Sequence, residues 1–338
     1  MQKLLSMLEY ARPEGSVAQD MFNGHFLFPV FGPADKHGNY IKTIGDKPRL
    51  AFMAHHDTVH TTSCIQQVNV TDGFIWSNSN CLGADCTTGV WLILEMIKAG
   101  IEGTYVVHAG EEIGCLGSRA LVADDPEWLY HTDAAISFDR KGYKSVITYQ
   151  MGVRTASDAF AESFADAVGM DFEADDGGSY TDSNEYANVI PECTNISVGY
   201  FAQHTDKERQ DATFALTLRD ALITADWSKI VAVRDPEVYD TLYTPKSSTF
   251  VSRFDRPVDG QDEWNEWLWK QNDAQNDADT YYSNYDDVPD VNSTEQGKIE
   301  NLLVEYSPEM AEVLIQYGFT ANQLMDDMEM GVEGMMSA

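Results

Sequence analysis

Residues 103–118, GTYVVHAGEEIGCLGS, constrain this chain more than any other stretch. Tyr105-Val106-Val107 is a short β-prone run bounded by glycine, which reads as a buried strand. That strand delivers two adjacent carboxylates, Glu111 and Glu112, into a glycine-rich turn. Neighbouring buried carboxylates repel each other and lose their hydration, so a cation has to compensate them. The pattern therefore points to a metal and calls for further ligands elsewhere in the chain.

Those ligands stand where other strand-like runs end. Leu50-Ala51-Phe52-Met53-Ala54 is continuously apolar, as suits a strand covered on both faces, and runs into His55-His56-Asp57. Ala134-Ala135-Ile136-Ser137-Phe138 is a second such run and ends at Asp139. Thr194–Tyr200 is a third, ending near His204, while Asp85 lies in a turn read as leading into a buried helix over Val90–Ala99. A further strand is expected at Tyr40–Ile44 and a hairpin arm at Val68–Ser77. Helices are expected at 2–10, around Ser118–Ala123, from Ser157 to Val168, and after a cap at Asp211 through Ala225. Strands alternating with helices predict an α/β fold, a three-layer sandwich on a mostly parallel central sheet. In such sheets ligands bind beyond the carboxyl ends of the strands.

Charge and composition narrow the function. The 338 residues carry 22 basic and 55 acidic side chains, a net charge of −33 that excludes a basic nucleic-acid face. From residue 257 onward there are 19 acidic and 2 basic residues, so about half the net charge lies in the last quarter. The five cysteines form no C-x-x-C pair, which argues against a disulfide framework and a thiolate zinc site. No run approaches a membrane span, and the first residues are too charged for a signal peptide, so a cytoplasmic location is expected. Three regions are expected: a catalytic unit over 1–226, an acidic extension and linker over 227–297, and a small helical C-terminal appendage over 298–338. The acidic C-terminal region is a candidate contact for a protein partner.

Histidine with carboxylates and no thiolate suits catalytic zinc, with cobalt or manganese as alternatives. The segments HHDTV, LGADCTTG, GEEIGCLGS, SFDRKG and the late His in SVGYFAQHTD, in that order, resemble the motif series of the co-catalytic dizinc metallopeptidases of the M28, M20 and M42 types. The resemblance spans roughly residues 2–225 and implies the phosphorylase/hydrolase-like fold of zinc exopeptidases. It implies that His55 binds one Zn2+ with Asp139, and that Glu112 and His204 bind the other. It further implies that Asp85 bridges the two, with a cis peptide before Cys86, that Asp57 orients His55, and that Glu111 is the general base. Only 65 residues separate Asp139 from His204, which leaves no room for an inserted M20-type domain and favours the M28 form. Thr181–Tyr186 resembles the segment bordering the M28 substrate pocket, and Arg140, Lys141 and Tyr143 are candidates for holding a substrate carboxylate.

The residues agree with this assignment on their own terms. Two ions roughly 3.5–4 Å apart need a shared carboxylate, and a carboxylate that is not a ligand must carry the proton. Asp57 lies two residues after His55, hence on the same side of an extended strand. His56, His60 and His108 are expected to be packing residues. The expected function is hydrolysis of a terminal peptide bond in a peptide or small amide, with an oligomer compatible. The alternatives are a deacylase of N-acylated small molecules, a metal-binding scaffold without catalysis, and a thiol hydrolase using Cys86 or Cys115.

Overall fold

In a computed structural model of the chain, residues 1–242 are described. Seven strands form the central sheet: β1 (Tyr40–Ile44), β2 (Leu50–His55), β3 (Gly103–His108), β4 (Ala134–Arg140), β5 (Ser145–Ile147), β6 (Glu173–Asp175) and β7 (Glu192–Ser197). Their order across the sheet is β6-β5-β7-β4-β2-β3-β1. The inner four strands run parallel, β1 is antiparallel to β3 at one edge, and β5 meets β7 antiparallel toward the other. The mostly parallel sheet expected from the apolar runs is the one observed, and the parallel pairing explains those runs, because strands covered on both faces have no polar side.

Alternation along β2 shows how the layers are made. Phe52 and Ala54 face one core with Trp91, Ile93 and Phe138, whereas Ala51 and Met53 face a second with Val106, Leu121, Ala135 and Tyr186. The first core lies under α2 (Ala84–Ala99), with α1 (Gln2–Leu8) and α5 (Ala212–Thr224) against it. The second lies under α3 (Leu116–Ala123) and the short helical turn Asp182–Glu185. Within the first core the Phe52 and Phe138 rings stack with centroids 6.0 Å apart. Truncating either ring to alanine would cost about 3–5 kcal/mol. The helix α4 (Asp158–Val168) begins at Ser157, whose hydroxyl accepts from the Phe160 amide, as the cap position requires.

Four differences from the sequence expectations bear on the site. First, α2 begins at Ala84 rather than near Val90, which puts Asp85 in the first helical turn. Second, the peptide between Asp85 and Cys86 is trans, where the resemblance implied cis. Third, residues 17–31 form three short helical pieces, one of them a π-turn, which the sequence reading left without an element. Gly24 and Pro29 interrupt the helical pattern there. Fourth, residues 227–242 lie along the body. Trp227 packs on Phe52 at 5.0 Å between centroids, Glu192 accepts from the amides of Val233 and Arg234, and Arg154 pairs with Asp240 at 2.8 Å.

A second, antiparallel sheet of four strands holds the expected hairpin, Val68–Thr71 with Phe74–Ser77. It also holds a second hairpin, Tyr200–Phe201 with Arg209–Asp211, whose tip carries His204. Among the described residues no helix is long and apolar enough to cross a membrane. The remainder of the expected linker and the expected helical appendage at 298–338 lie outside the described residues.

Candidate metal centre

The folded chain gathers all seven expected residues at the carboxyl ends of the parallel strands. His55 is the last residue of β2, and Asp139 lies near the end of β4. Glu111 and Glu112 occupy the turn between β3 and α3, Asp85 the first turn of α2, and His204 the hairpin tip. Gly117 permits this turn to close on the sheet, because a Cβ there would lie 2.7 Å from the Ala109 carbonyl oxygen.

Asp57 organises one side of the cluster. It is fully buried, and its two oxygens accept from the backbone amides of Glu111 (3.1 Å) and Glu112 (3.0 Å). It also accepts from His55 Nδ1 at 3.2 Å, which fixes the ring so that Nε2 faces the cluster, 3.7 Å from Asp139 Oδ1. Asp139 is held in turn by the Thr181 hydroxyl at 2.9 Å, and Asn195 brackets its backbone through both N–H and C=O. On the other side, His204 Nε2 lies 2.8 Å from Asp85 Oδ2 and 3.2 Å from Glu112 Oε1. Donor atoms of His55, Glu111 and Glu112 lie within 4.8 Å of one another, as do those of Asp85, Glu112 and His204, and those of His55, Asp85 and Cys86. Asp85 and Glu112 thus each stand beside both histidines, the position a shared ligand needs.

Burial pushes the Glu111 carboxyl well above the carboxylate range, with Asp139 and Glu112 adding repulsion, and burial likewise raises Glu112 and Asp139. Burial would lower both histidines, yet Asp139 and Asp57 hold His55 well above its ordinary value, and Glu112 and Asp85 do the same for His204. Burial also opposes ionisation of Asp85, but the hydrogen bond and charge of His204 outweigh it and hold Asp85 low. Glu112 Oε1 is buried and faces His204 Nε2 at 3.2 Å without an aligned hydrogen bond. An oxygen-rich donor set, and two histidines with the far nitrogen aimed inward among buried carboxylates, fit divalent cations.

The neighbouring histidines lie outside these groupings. His56 sits between Gln19 and the Gly38 carbonyl, and burial pulls it down to about 4. His60 sits between Thr58 and Gln66, and burial lowers it to about 4 as well. His108 is buried against Tyr186 and Asp182. Burial raises the thiols of Cys86 and Cys115, so neither is poised as a thiolate nucleophile. Arg140 is engaged by Asp175 and the Gly177 carbonyl, and Tyr143 donates to Asp211. A cavity of about 580 Å3 lined by Lys144, Tyr149, Arg154 and Glu173 shares no residue with the cluster and gathers no comparable chemistry.

Two supporting residues were not read from the sequence. Arg12 is fully buried without a carboxylate, donating to the His56 carbonyl (2.8 Å), Thr87 Oγ1 (2.8 Å) and Cys86 Sγ (3.0 Å). Glu208 is a buried carboxylate that accepts from the amides of Leu82, Gly83 and Ala84. Arg12 stands next to Pro13 in a polar turn, and Glu208 lies in TDKER, a run that reads as solvated surface. The one available signal was the position of Glu208 four residues after His204.

Residues 39–189 match the model of peptidase family M28, a span that holds His55, Asp57, Asp85, Glu111, Glu112 and Asp139 and ends before His204. No curated protein matches the chain. Among solved structures, the chain is similar to an aminopeptidase PepT from Bacillus cereus ATCC 10987, at 14% identity and a TM-score of 0.52, over 66% of this chain and 96% of that one. It is similar to the Pyrococcus horikoshii TET1 peptidase, described as assembling into a tetrahedron or a large octahedral shell, at 14% identity and a TM-score of 0.52, over 67% of this chain and 99% of that one. A tripeptidase from Staphylococcus aureus gives 15% identity and a TM-score of 0.51, over 66% of this chain and 96% of that one. At these identities the similarity is one of fold.

Proposed function

We propose that this chain, whose residues 39–189 carry the pattern of peptidase family M28, is a metal-dependent exopeptidase that hydrolyses a terminal peptide bond. The observation that carries the reading is the pair of histidines, His55 and His204, on opposite sides of a carboxylate cluster in which Asp85 and Glu112 stand beside both. His55 with Asp139 would hold one zinc ion, His204 with Glu112 the other, and Asp85 would be shared. When bound, the ions supply Lewis-acid polarisation of the scissile carbonyl and acidify the attacking water.

The protein's own groups do the rest. Glu111 is half-buried, and its backbone amide donates to Asp57 at 3.1 Å, which holds it beside the ligands. As general base it takes the proton of the attacking water and passes it to the leaving amine. Burial has already raised its proton affinity in that direction. Asp57 holds the His55 ring in one orientation, and Thr181 and Asn195 hold Asp139.

The test combines metal content with turnover on aminoacyl, dipeptide and N-acyl substrates, for the full chain and Glu111→Gln, with and without a chelator. The reading expects about two ions per chain, turnover abolished by the chelator, and a variant that keeps its metal and loses turnover. Metal without turnover on any substrate would replace it with the scaffold reading. Chelator-resistant turnover by a metal-free chain would overturn the centre itself.

A further inference from the structure

The N-terminus of α2 presents an unusual capping problem. Its cap residue, Gly83, sits in the left-handed region (φ 71°, ψ 36°) and offers no side chain, although the first amides of any helix need acceptors. The acceptor comes from far along the chain. Glu208 Oε2 takes the amides of Leu82 (2.8 Å) and Gly83 (3.0 Å), and Oε1 takes that of Ala84 (2.7 Å). The next residue in the helix is Asp85.

Glu208 belongs to the hairpin that carries His204. The hairpin tip is otherwise weakly held: His204 adopts a left-handed backbone (φ 63°), and its side chain is 45% exposed. Behind the tip, the Thr88 hydroxyl of α2 donates to Gln210 Oε1 at 2.7 Å, and the Gln210 amide donates to the Val198 carbonyl. The hairpin is thus fastened to α2 on successive turns, once at the helix start and once at Thr88, with Asp85 between the two fastenings. His204 and Asp85 approach to 2.8 Å across this fastened junction.

We propose that Glu208 is a positioning residue, a staple that locks the His204 hairpin onto the start of α2 and so sets the spacing between His204 and Asp85. The inference rests on the two-ion reading for its consequence: the staple governs the ion held by His204 and leaves the one held by His55 and Asp139 to its own supports.

The experiment compares the full chain with Glu208→Gln and, as a control on the same loop, Lys207→Ala. A carboxamide keeps one acceptor oxygen and turns a donor toward the remaining amide, so Glu208→Gln breaks one arm of the staple with little change of volume. Hydrogen exchange on the metal-free proteins reads the staple directly. We expect faster exchange at Leu82–Ala84 and across 202–208 in Glu208→Gln alone. Zinc titration against a competing chelator reads the consequence. One of two binding steps should weaken by about tenfold or more while the other is unchanged, the size seen when a ligand loses its supporting partner. Unchanged exchange together with unchanged stepwise affinities would overturn the proposal. So would equal weakening of both steps with a general loss of protection, the signature of a merely structural role. If the unaltered chain takes up no zinc pair, the two-ion reading fails, and the exchange measurement still decides whether the staple exists.

Discussion

Replacing Asp57 by asparagine tests the organisation of the centre at its most connected point. The carboxylate accepts three hydrogen bonds, from His55 Nδ1 and from the amides of Glu111 and Glu112, and is fully enclosed. A carboxamide of the same shape has one acceptor oxygen. If that oxygen serves Glu111 and His55, the NH2 group faces the Glu112 amide, donor against donor. One hydrogen bond to a charged group is lost, about 1.5–3 kcal/mol, and a buried N–H is left unsatisfied, about 1–3 kcal/mol. Relief of a buried charge offsets part of this, so we expect a net loss of roughly 3 kcal/mol. For a domain of this size that lowers Tm by roughly 6–12 °C. His55 loses its fixed orientation at the same time, so zinc affinity should fall about 10- to 100-fold. Thermal unfolding of the metal-free protein and chelator competition measure the two effects. A variant that melts within about a degree of the parent, well inside the expected shift, would refute the claim that Asp57 braces the turn.

Glu111→Gln should lower kcat by about 10²–10⁴ as loss of a general base implies, while raising the Tm of the metal-free protein, because burial disfavours the charge it removes; a fall in Tm would count against that account. The pH response follows from the same groups. The folded-state proton affinities of Glu111, Glu112, Asp139, His55 and His204 are all raised. At these five groups the folded, metal-free protein binds more protons than the unfolded chain, and the stability they contribute declines as pH rises above the ordinary carboxylate value of about 4.3 and again above the ordinary histidine value of about 6.5, whereas His56 and His60, pulled down to about 4 by burial, oppose this only up to the ordinary histidine value. We expect a lower Tm at pH 8 than at pH 6 without metal, and a reversal with zinc, which competes with those protons; calorimetry at the two pH values checks both signs. Gly117→Ala would drive a Cβ against the Asn39 side chain and to 2.7 Å from the Ala109 carbonyl. A cost of about 1–3 kcal/mol or more, with lost activity, should appear in denaturant unfolding.

What could be read in advance were the features recorded as local pattern. The apolar runs at 50–54 and 134–138 gave the parallel strands, and their polar ends gave His55 and Asp139, because a buried strand shows its chemistry only where it leaves the core. What could not be read depends on segments distant in sequence. The start of α2 at Ala84 depends on a carboxylate at Glu208, and nothing near Leu82 announces it. Burial of Arg12 depends on the carbonyl of His56 and the side chain of Thr87, so a charged residue in a polar turn became part of the interior. Residues 227–234 look featureless alone, yet they supply amides to Glu192 that fix their path. The order of strands likewise carries no local signature.

That order has a consequence for how the molecule is made. β7 is the last of the seven strands to be synthesised, yet it lies inside the sheet, between β4 and β5. Until the ribosome has released residues 192–197, β4 has an open edge and Asp139 lacks Asn195, which brackets it through N–H and C=O. The His204 hairpin emerges later still. A nascent or prematurely terminated chain ending before β7 therefore carries His55, Asp85 and both glutamates but has an unsealed sheet, and it is exposed to pairing with other chains at that edge. Under the proposed metal reading, tight metal capture would have to wait for completion of the sandwich.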